Sequence, residues 1–238
     1  MLRTDSVGAR SFLRRSFVWP RDALQEAWKL DPANAEAANG MLIVAKGHGA
    51  PRATMEEWYQ RAIQADPDSL RAAGRRIEYL YPVWHGSEEE MTEFGRELLA
   101  GGRWEAGLPL KLVEMHWWRA SYHDSGRKPV DPAYFAANAA EAWKDVKAVY
   151  EPYLKRVPDS RYHRTRYALI AAWCGEWVEA KRQFAVLGDD FSHRVAPEAL
   201  YRQARDQVIA NAGKEPRTAE DKQPAGKSSG PAAQPLPF

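Results

Sequence analysis

Apolar residues recur along this chain at three- and four-residue spacing, in short blocks closed by Pro or Gly. This is the pattern of amphipathic helices joined by tight turns. Pro20 suits the first turn of a helix running to about Leu30, and Asp31-Pro32 stops it. Asn34 caps a second block carrying Ala37, Ala38, Met41, Leu42, Val44 and Ala45 up to Gly47-His48-Gly49. Thr54 and Glu57 have capping-box spacing at the head of a third, which holds Trp58, Tyr59, Ala62 and Ile63 and ends at Asp66-Pro67. Asp68 or Ser69 opens a fourth through Leu70, Ala73, Ile77 and Leu80. After the rigid break Pro82-Val83-Trp84-His85-Gly86, Ser87 and Glu90 form a second capping-box spacing, and Gly101-Gly102 closes that helix by supplying positive φ. Pro109 starts the next, through Leu112 and Val113 to Trp118, with a loop at Ser125-Gly126 and Pro129. Asp131-Pro132 predicts a long helix over Phe135, Ala139, Trp143, Val146 and Tyr150, with Pro152 kinking or restarting it. Two helices then flank Trp173-Cys174-Gly175, with small Ala168 and Ala180 allowing close approach and Phe184 filling the gap. Pro197 begins the last helix, through Leu200, Ala204 and Val208.

One phrase returns. Ala27-Trp28-Lys29-Leu30-Asp31-Pro32 is echoed 35 residues on by Ala62-Ile63-Gln64-Ala65-Asp66-Pro67, and Val157-Pro158-Asp159-Ser160 mirrors Asp66-Pro67-Asp68-Ser69. A period near 34 with Ala and Asp-Pro at the seam is that of tetratricopeptide-type helix pairs. The fold class read from the chain is therefore all-α, with tetratricopeptide-like antiparallel helix pairs stacked as a short superhelix or solenoid. The expected domain covers residues 20–212. A flexible basic arm (1–19) precedes it, and a Pro/Gly/Ser/Lys-rich tail (213–238), too poor in apolar residues to fold, follows.

Composition trims the choices. A net charge of +2 implies no strongly charged partner. The lone Cys174 forbids a disulfide framework within the chain and argues against a cysteine zinc site. Ten tryptophans fit a thin scaffold with many half-wet positions. No apolar run reaches the roughly 20 residues that span a bilayer, and the start lacks a signal-peptide core of about 7–15 apolar residues. A cytoplasmic protein with no membrane partner is expected.

Four groups carry candidate chemistry, each with a plainer structural reading. Trp84-His85, set between Pro82 and Gly86, can contact a ligand or plug the space between helix pairs. His116-Trp117-Trp118 with His123 offers a metal site if His85 joins. However, His116 and His123 on one helix would stand about 10.5 Å apart, too far for a single ion. Cys174 sits where a helix turn wants a small apolar residue, and a catalytic thiol would need a base beside it. The run Arg161-Tyr162-His163-Arg164-Thr165-Arg166-Tyr167, with Arg71, Arg75 and Arg76, has the interleaving that grips single-stranded nucleic acid. The nearly balanced charge favours a solvated, paired face instead. Phosphate-binding glycine loops, HExxH and GxSxG are absent from the sequence.

The stretch from Trp19-Pro20 to about Arg96 resembles bacterial tetratricopeptide-like proteins of planctomycete type, filed as domains of unknown function. The residues that carry the likeness are Ala27 to Pro32, Met55-Glu56-Glu57-Trp58-Tyr59-Gln60-Arg61-Ala62, Tyr79 to Ser87 and Phe94-Gly95-Arg96-Glu97. Trp143 to Gly188 resembles the same family's terminal helix pair. The Pro-x-Trp-x-Gly-Ser element, Pro82 to Ser87, is the more specific part. The resemblance implies no catalysis, cofactor or ligand. It also implies a longer N-terminal region in relatives, so that this chain is shortened or starts late. The expected function is a non-catalytic protein–protein interaction scaffold for an unknown protein or peptide, with no cofactor and no metal. Its expected contacts are Trp84, His85, Trp117, Trp118 and Arg75. The alternatives are a small-ligand, metal-binding or enzymatic module using His85, His116 and His123, and nucleic-acid binding through the Arg/Tyr face, the less favoured of the two.

Overall fold

The computed structural model describes residues 21–123, 126–127, 129–211 and 213–214. The arm expected at 1–19 lies outside them, as does the tail expected at 213–238 apart from Gly213 and Lys214. The described chain is all-α but for two two-residue strands. Its contacts gather into two compact units, Met1–Arg119 and Ala120–Phe238.

In the first unit, α1 covers residues 21–30. It is followed by α2 (Ala35–His48), α3 (Arg52–Ala65), α4 (Leu70–Tyr79), α5 (Glu88–Ala100) and α6 (Leu110–Ser121), the division falling late in α6. The two Asp-Pro seams are built from the same hydrogen bonds. Asp31 N–H donates to Ala27 O (3.0 Å) and Asn34 N–H to Asp31 O (3.1 Å); Asp66 N–H donates to Ala62 O (2.9 Å) and Ser69 N–H to Asp66 O (3.1 Å). Each Asp carboxylate also accepts from the amide two residues on, Ala33 or Asp68, an Asx turn that stops the chain from continuing as helix. Asn34 and Ser69 then cap α2 and α4 through the amides of Glu36 and Ala72. Helix α2 ends at Gly49 (φ 62°), which takes the left-handed conformation that returns the chain toward α3. Three residues separate these packed helices, so they run antiparallel. α2 also packs on α4, two helices on. The core holds Met41, Leu42, Met55, Trp58, Tyr59, Ile77, Met91 and Phe94.

Two expectations fail here. Thr54 caps nothing: α3 already begins at Arg52 behind Pro51, without a side-chain cap. At Ser87 only half of the capping box forms. The serine accepts from Glu90 N–H, but the Glu90 carboxylate turns to Arg52 (2.9 Å).

The second unit begins with Tyr122↔Arg127 and His123↔Gly126 paired antiparallel, as β1 (Tyr122–His123) and β2 (Gly126–Arg127), where a plain loop was expected. Then come α7 (Pro132–Ala137), α8 (Ala139–Arg156), α9 (Arg161–Trp173), α10 (Trp177–Leu187) and α11 (Glu198–Ala210). Asp131 caps α7 as expected, but the predicted long helix breaks at Asn138. There the side-chain amide donates to Tyr134 O (2.8 Å) and competes with the helical ladder. Pro152, expected to kink or restart the helix, sits inside a continuous α8. Helix α9 is buried on every side from Thr165 to Trp173 and packs against α7, α8, α10 and α11. An all-round apolar helix belongs at a centre, so the expectation of a thin scaffold with few enclosed positions fails in this unit. Ala168, Ala180 and Phe184 are buried, α9 and α10 pack on each other, and the Phe184 ring meets Tyr201 of α11 at 5.1 Å.

Candidate interaction site at the α4–α5 turn

Helix α4 ends at Tyr79, capped by Leu80, and α5 starts at Glu88, leaving the Pro-x-Trp-x-Gly-Ser element in the turn between them. The turn is pinned by its backbone. Trp84 N–H donates to Tyr81 O (2.8 Å) and His85 N–H reaches back to Tyr79 O (3.2 Å). Gly86 is required by proximity, because a Cβ there would lie 2.4 Å from Leu80 O. Tyr79, on the last turn of α4, donates to Ala50 O (2.9 Å), and burial pushes its phenol pKa up. His85 lies over the Tyr79 ring at 4.6 Å, and its Nε2 stands 3.1 Å from Lys46 O at the end of α2. Arg52 adds a bond to His85 O (3.3 Å).

Three of the five residues singled out from sequence meet here. Lys46 Nζ sits 5.3 Å from the Trp84 ring centre and 2.7 Å from Glu78, and Arg75 donates to both Glu78 oxygens at 3.1 Å. Burial alone would raise the Glu78 carboxyl, but the hydrogen bonds and charges of Lys46 and Arg75 outweigh it and hold the pKa below the usual carboxylate value. The indole of Trp84 is not the plug its structural reading required. It is 49% exposed, beside Val83 at 55%. Trp118 stacks on Tyr81 from α6 (4.4 Å, 16°), while Trp117 is half-buried on the same helix. Sequence reasoning missed Lys46, Glu78 and Arg52. The only signal was spacing: Lys46 and Glu78 lie 32 residues apart, close to one repeat.

The other candidates do not assemble. His116 is fully buried in α6, which ends at Ser121, so His123 falls in β1 and shares no helix face with it. Among the described residues no group of three His, Cys, Asp or Glu is placed to hold a metal. Cys174 is fully enclosed at the α9 C-cap, its Sγ 3.8 Å from Phe135 O. The basic run is not one face. Arg161 pairs with Asp190 (2.6 Å), Arg164 is bound to Gln183 and Pro158 O, and Thr165, Arg166 and Tyr167 are buried. Arg71 pairs with Glu36. Arg76 is shared by Glu56 and Glu97 beneath the rings of Tyr59 and Phe94. No helix among the described residues is long and apolar enough to cross a membrane. A comparison with protein-family models finds no match, and searches of curated proteins and of solved structures find none either.

Proposed function

We propose that this chain is a non-catalytic protein–protein interaction scaffold of the tetratricopeptide-like type, whose contact surface is the α4–α5 turn. The repeated seams support the repeat reading, because two Asp-Pro turns 35 residues apart use the same backbone and Asx bonds. Packing of α2 on α4, and of α9 on α11, is the neighbour pattern that stacked helix pairs need. Membership in the planctomycete-type family with the Pro-x-Trp-x-Gly-Ser element belongs to the same proposal, as does a cytoplasmic partner.

The observation that carries the reading is the half-exposed Trp84 indole beside a fixed cation. Its turn is held by four hydrogen bonds within reach of α2, α3 and α4. A large aromatic ring held ready in water loses little entropy on docking, and such rings dominate interface energies. The test is affinity capture with the full chain and with Trp84→Ala. Half the indole already faces water, so the variant should keep its melting temperature. A protein partner retained by the wild type and lost by Trp84→Ala is the expected result. Capture insensitive to Trp84 would refute the assignment of the surface.

A further inference from the structure

A second surface of the first unit lies away from the Trp84 turn. The ends of α3 and α5 and the loop before α6 border a half-open cavity of about 550 Å³, with Tyr59, Ile63, Leu98 and Leu108 as its apolar wall and Gln60 and Gln64 beside them. Its size falls in the range of ligand pockets. On the other side of the α3–α4 seam is a more polar notch of about 520 Å³ bearing Glu36, Asp66, Asp68 and Glu105. Ser69 lines both, and the Arg103–Asp68 ion pair (2.7 Å) joins them, the arginine on the cavity and the carboxylate in the notch.

Charge across this pair of hollows is one-sided. Five carboxylates (Glu36, Asp66, Asp68, Glu97 and Glu105) stand against two guanidinium groups, Arg71 and Arg103. Arg76 reaches Glu97 but is divided with Glu56, so it does not restore the balance. Helices α3 and α5 both end at the cavity, and neither has a basic residue in its last turn. Their carbonyl ends add negative potential to the cavity, while the amide ends of α2 and α4 lie at the notch beside Glu36 and Leu70 and offset only part of the charge of its four carboxylates. An apolar hole beside an acidic notch matches a chain segment whose hydrophobic side chain is followed by basic ones. The linking ion pair is about half exposed on each side and holds little energy, so an incoming cation can replace Arg103 on Asp68.

We infer that the α3–α4 seam is a docking site for an extended peptide segment of a partner protein, with an aliphatic or aromatic residue in the cavity and adjacent Lys or Arg side chains in the notch. The inference shares with the scaffold reading only the premise that the chain binds polypeptides, and it concerns a different surface.

The experiment is fluorescence anisotropy of the full chain with blocked, labelled peptides. The probe is Gly-Phe-Leu-Arg-Arg-Gly, compared with Gly-Ser-Ser-Arg-Arg-Gly and Gly-Phe-Leu-Glu-Glu-Gly. The first should bind saturably and about tenfold or more tighter than either control, a factor that separates a matched pair of subsites from diffuse attraction. Asp68→Lys with Glu105→Lys, both on exposed positions, should weaken it about tenfold. Trp84→Ala should leave it unchanged, so a failure here is separable from a failure of the scaffold surface. Equal binding of the Ser-Ser peptide would reduce the site to general electrostatics and overturn the inference, as would indifference to the charge reversals. A full chain that binds the probe only after Phe12→Ser and Leu13→Ser would overturn the partner assignment and make the chain's own Phe12-Leu13-Arg14-Arg15 the occupant.

Discussion

The two units are held together by different means. In the first, ion pairs tie helices, and in one case the loops between them, over long stretches of sequence: Lys46–Glu78, Arg52–Glu90, Arg71–Glu36, Arg76–Glu97 and Arg119–Glu88 between helices, and Arg103–Asp68 between loops. In the second, many of the pairs are local, such as Lys147–Glu151, Arg182–Glu179 and Arg202–Glu198, each within one helix. Fewer ion pairs there are distant, Arg161–Asp190 and Arg205–Asp189, and stacked rings join its elements as well. Trp143 stacks on Tyr167 (5.5 Å, 10°), Phe135 on Trp173 (5.5 Å, 30°) and Phe191 on Tyr201 (4.1 Å, 8°). The difference follows from α9. Its buried stretch, Thr165 to Trp173, leaves no wet edge at which charges could meet, and only its exposed start keeps a pair, Arg161–Asp190, whereas helices that bury one stripe bring their charged flanks together. Mutations should therefore be costly in the second unit wherever rings meet, and graded by burial in the first.

The largest effect is expected at Phe135, fully buried against Trp173 and Tyr134. Phe135→Ala should cost about 3–5 kcal/mol, read as lost hydrogen-exchange protection of the α9 amides. A cost below about 1 kcal/mol would mean that the rings are dispensable and the contrast between the units is false.

Next comes Gly86→Ala. The added methyl meets Leu80 O, Cα and C at 2.4, 2.6 and 2.8 Å, all backbone atoms that cannot swing aside. About 1–3 kcal/mol of destabilisation is expected, together with a changed Trp84 fluorescence environment as the turn shifts. Gly74→Ala is the control, because its methyl meets nothing within 4 Å, and alanine there should be neutral or stabilising.

These contrasts also explain what was legible in the sequence. The first unit's helices were readable because each wears one apolar stripe and is bounded by turn signals that work locally, the caps Asn34 and Ser69 at starts and Gly102 after an end among them. The break at Asn138 was not, because an asparagine inside an apolar pattern stops a helix only if its amide bonds backward, and nothing in the spacing announces that. Pro152 misled in the opposite direction, since packing of α8 against α9 outweighs its missing donor. At the candidate site, Trp84, His85 and Arg75 were found because they are unusual residues beside a rigid turn. Lys46 and Glu78 were missed because each is ordinary on its own helix. Only the close approach of α2 and α4 makes them a pair.

A smaller effect is expected at Glu78. Glu78→Gln leaves the ammonium of Lys46, mostly shielded from water, without a charged partner, at a cost of about 1–2 kcal/mol. The sign with pH follows from the lowered carboxyl. The pair contributes its full stability above the ordinary value of 4.5 and loses it as pH falls through the lower folded value. Wild type should therefore lose stability on acidification below about pH 4.5 more steeply than Glu78→Gln. Parallel melting-temperature curves for the two proteins would show that the ion pair adds nothing.

The smallest effect belongs to Arg71, and it sharpens the comparison most. Arg71 and Glu36 join α4 to α2 one repeat apart, as Lys46 and Glu78 do at the other end of the same helices, but both side chains are about 60% exposed. Water screens such a pair, and holding two long side chains together costs rotamer freedom. Arg71→Ala should thus change stability by less than about 0.5 kcal/mol, and the coupling energy in an Arg71/Glu36 double-mutant cycle should shrink further in added salt. If burial rather than charge decides the worth of these cross-links, the Lys46/Glu78 cycle must give the larger coupling and keep it in salt. Equal couplings from the two cycles would mean that the long-range pairing itself, and not its shielding from water, holds the first unit's helices in register.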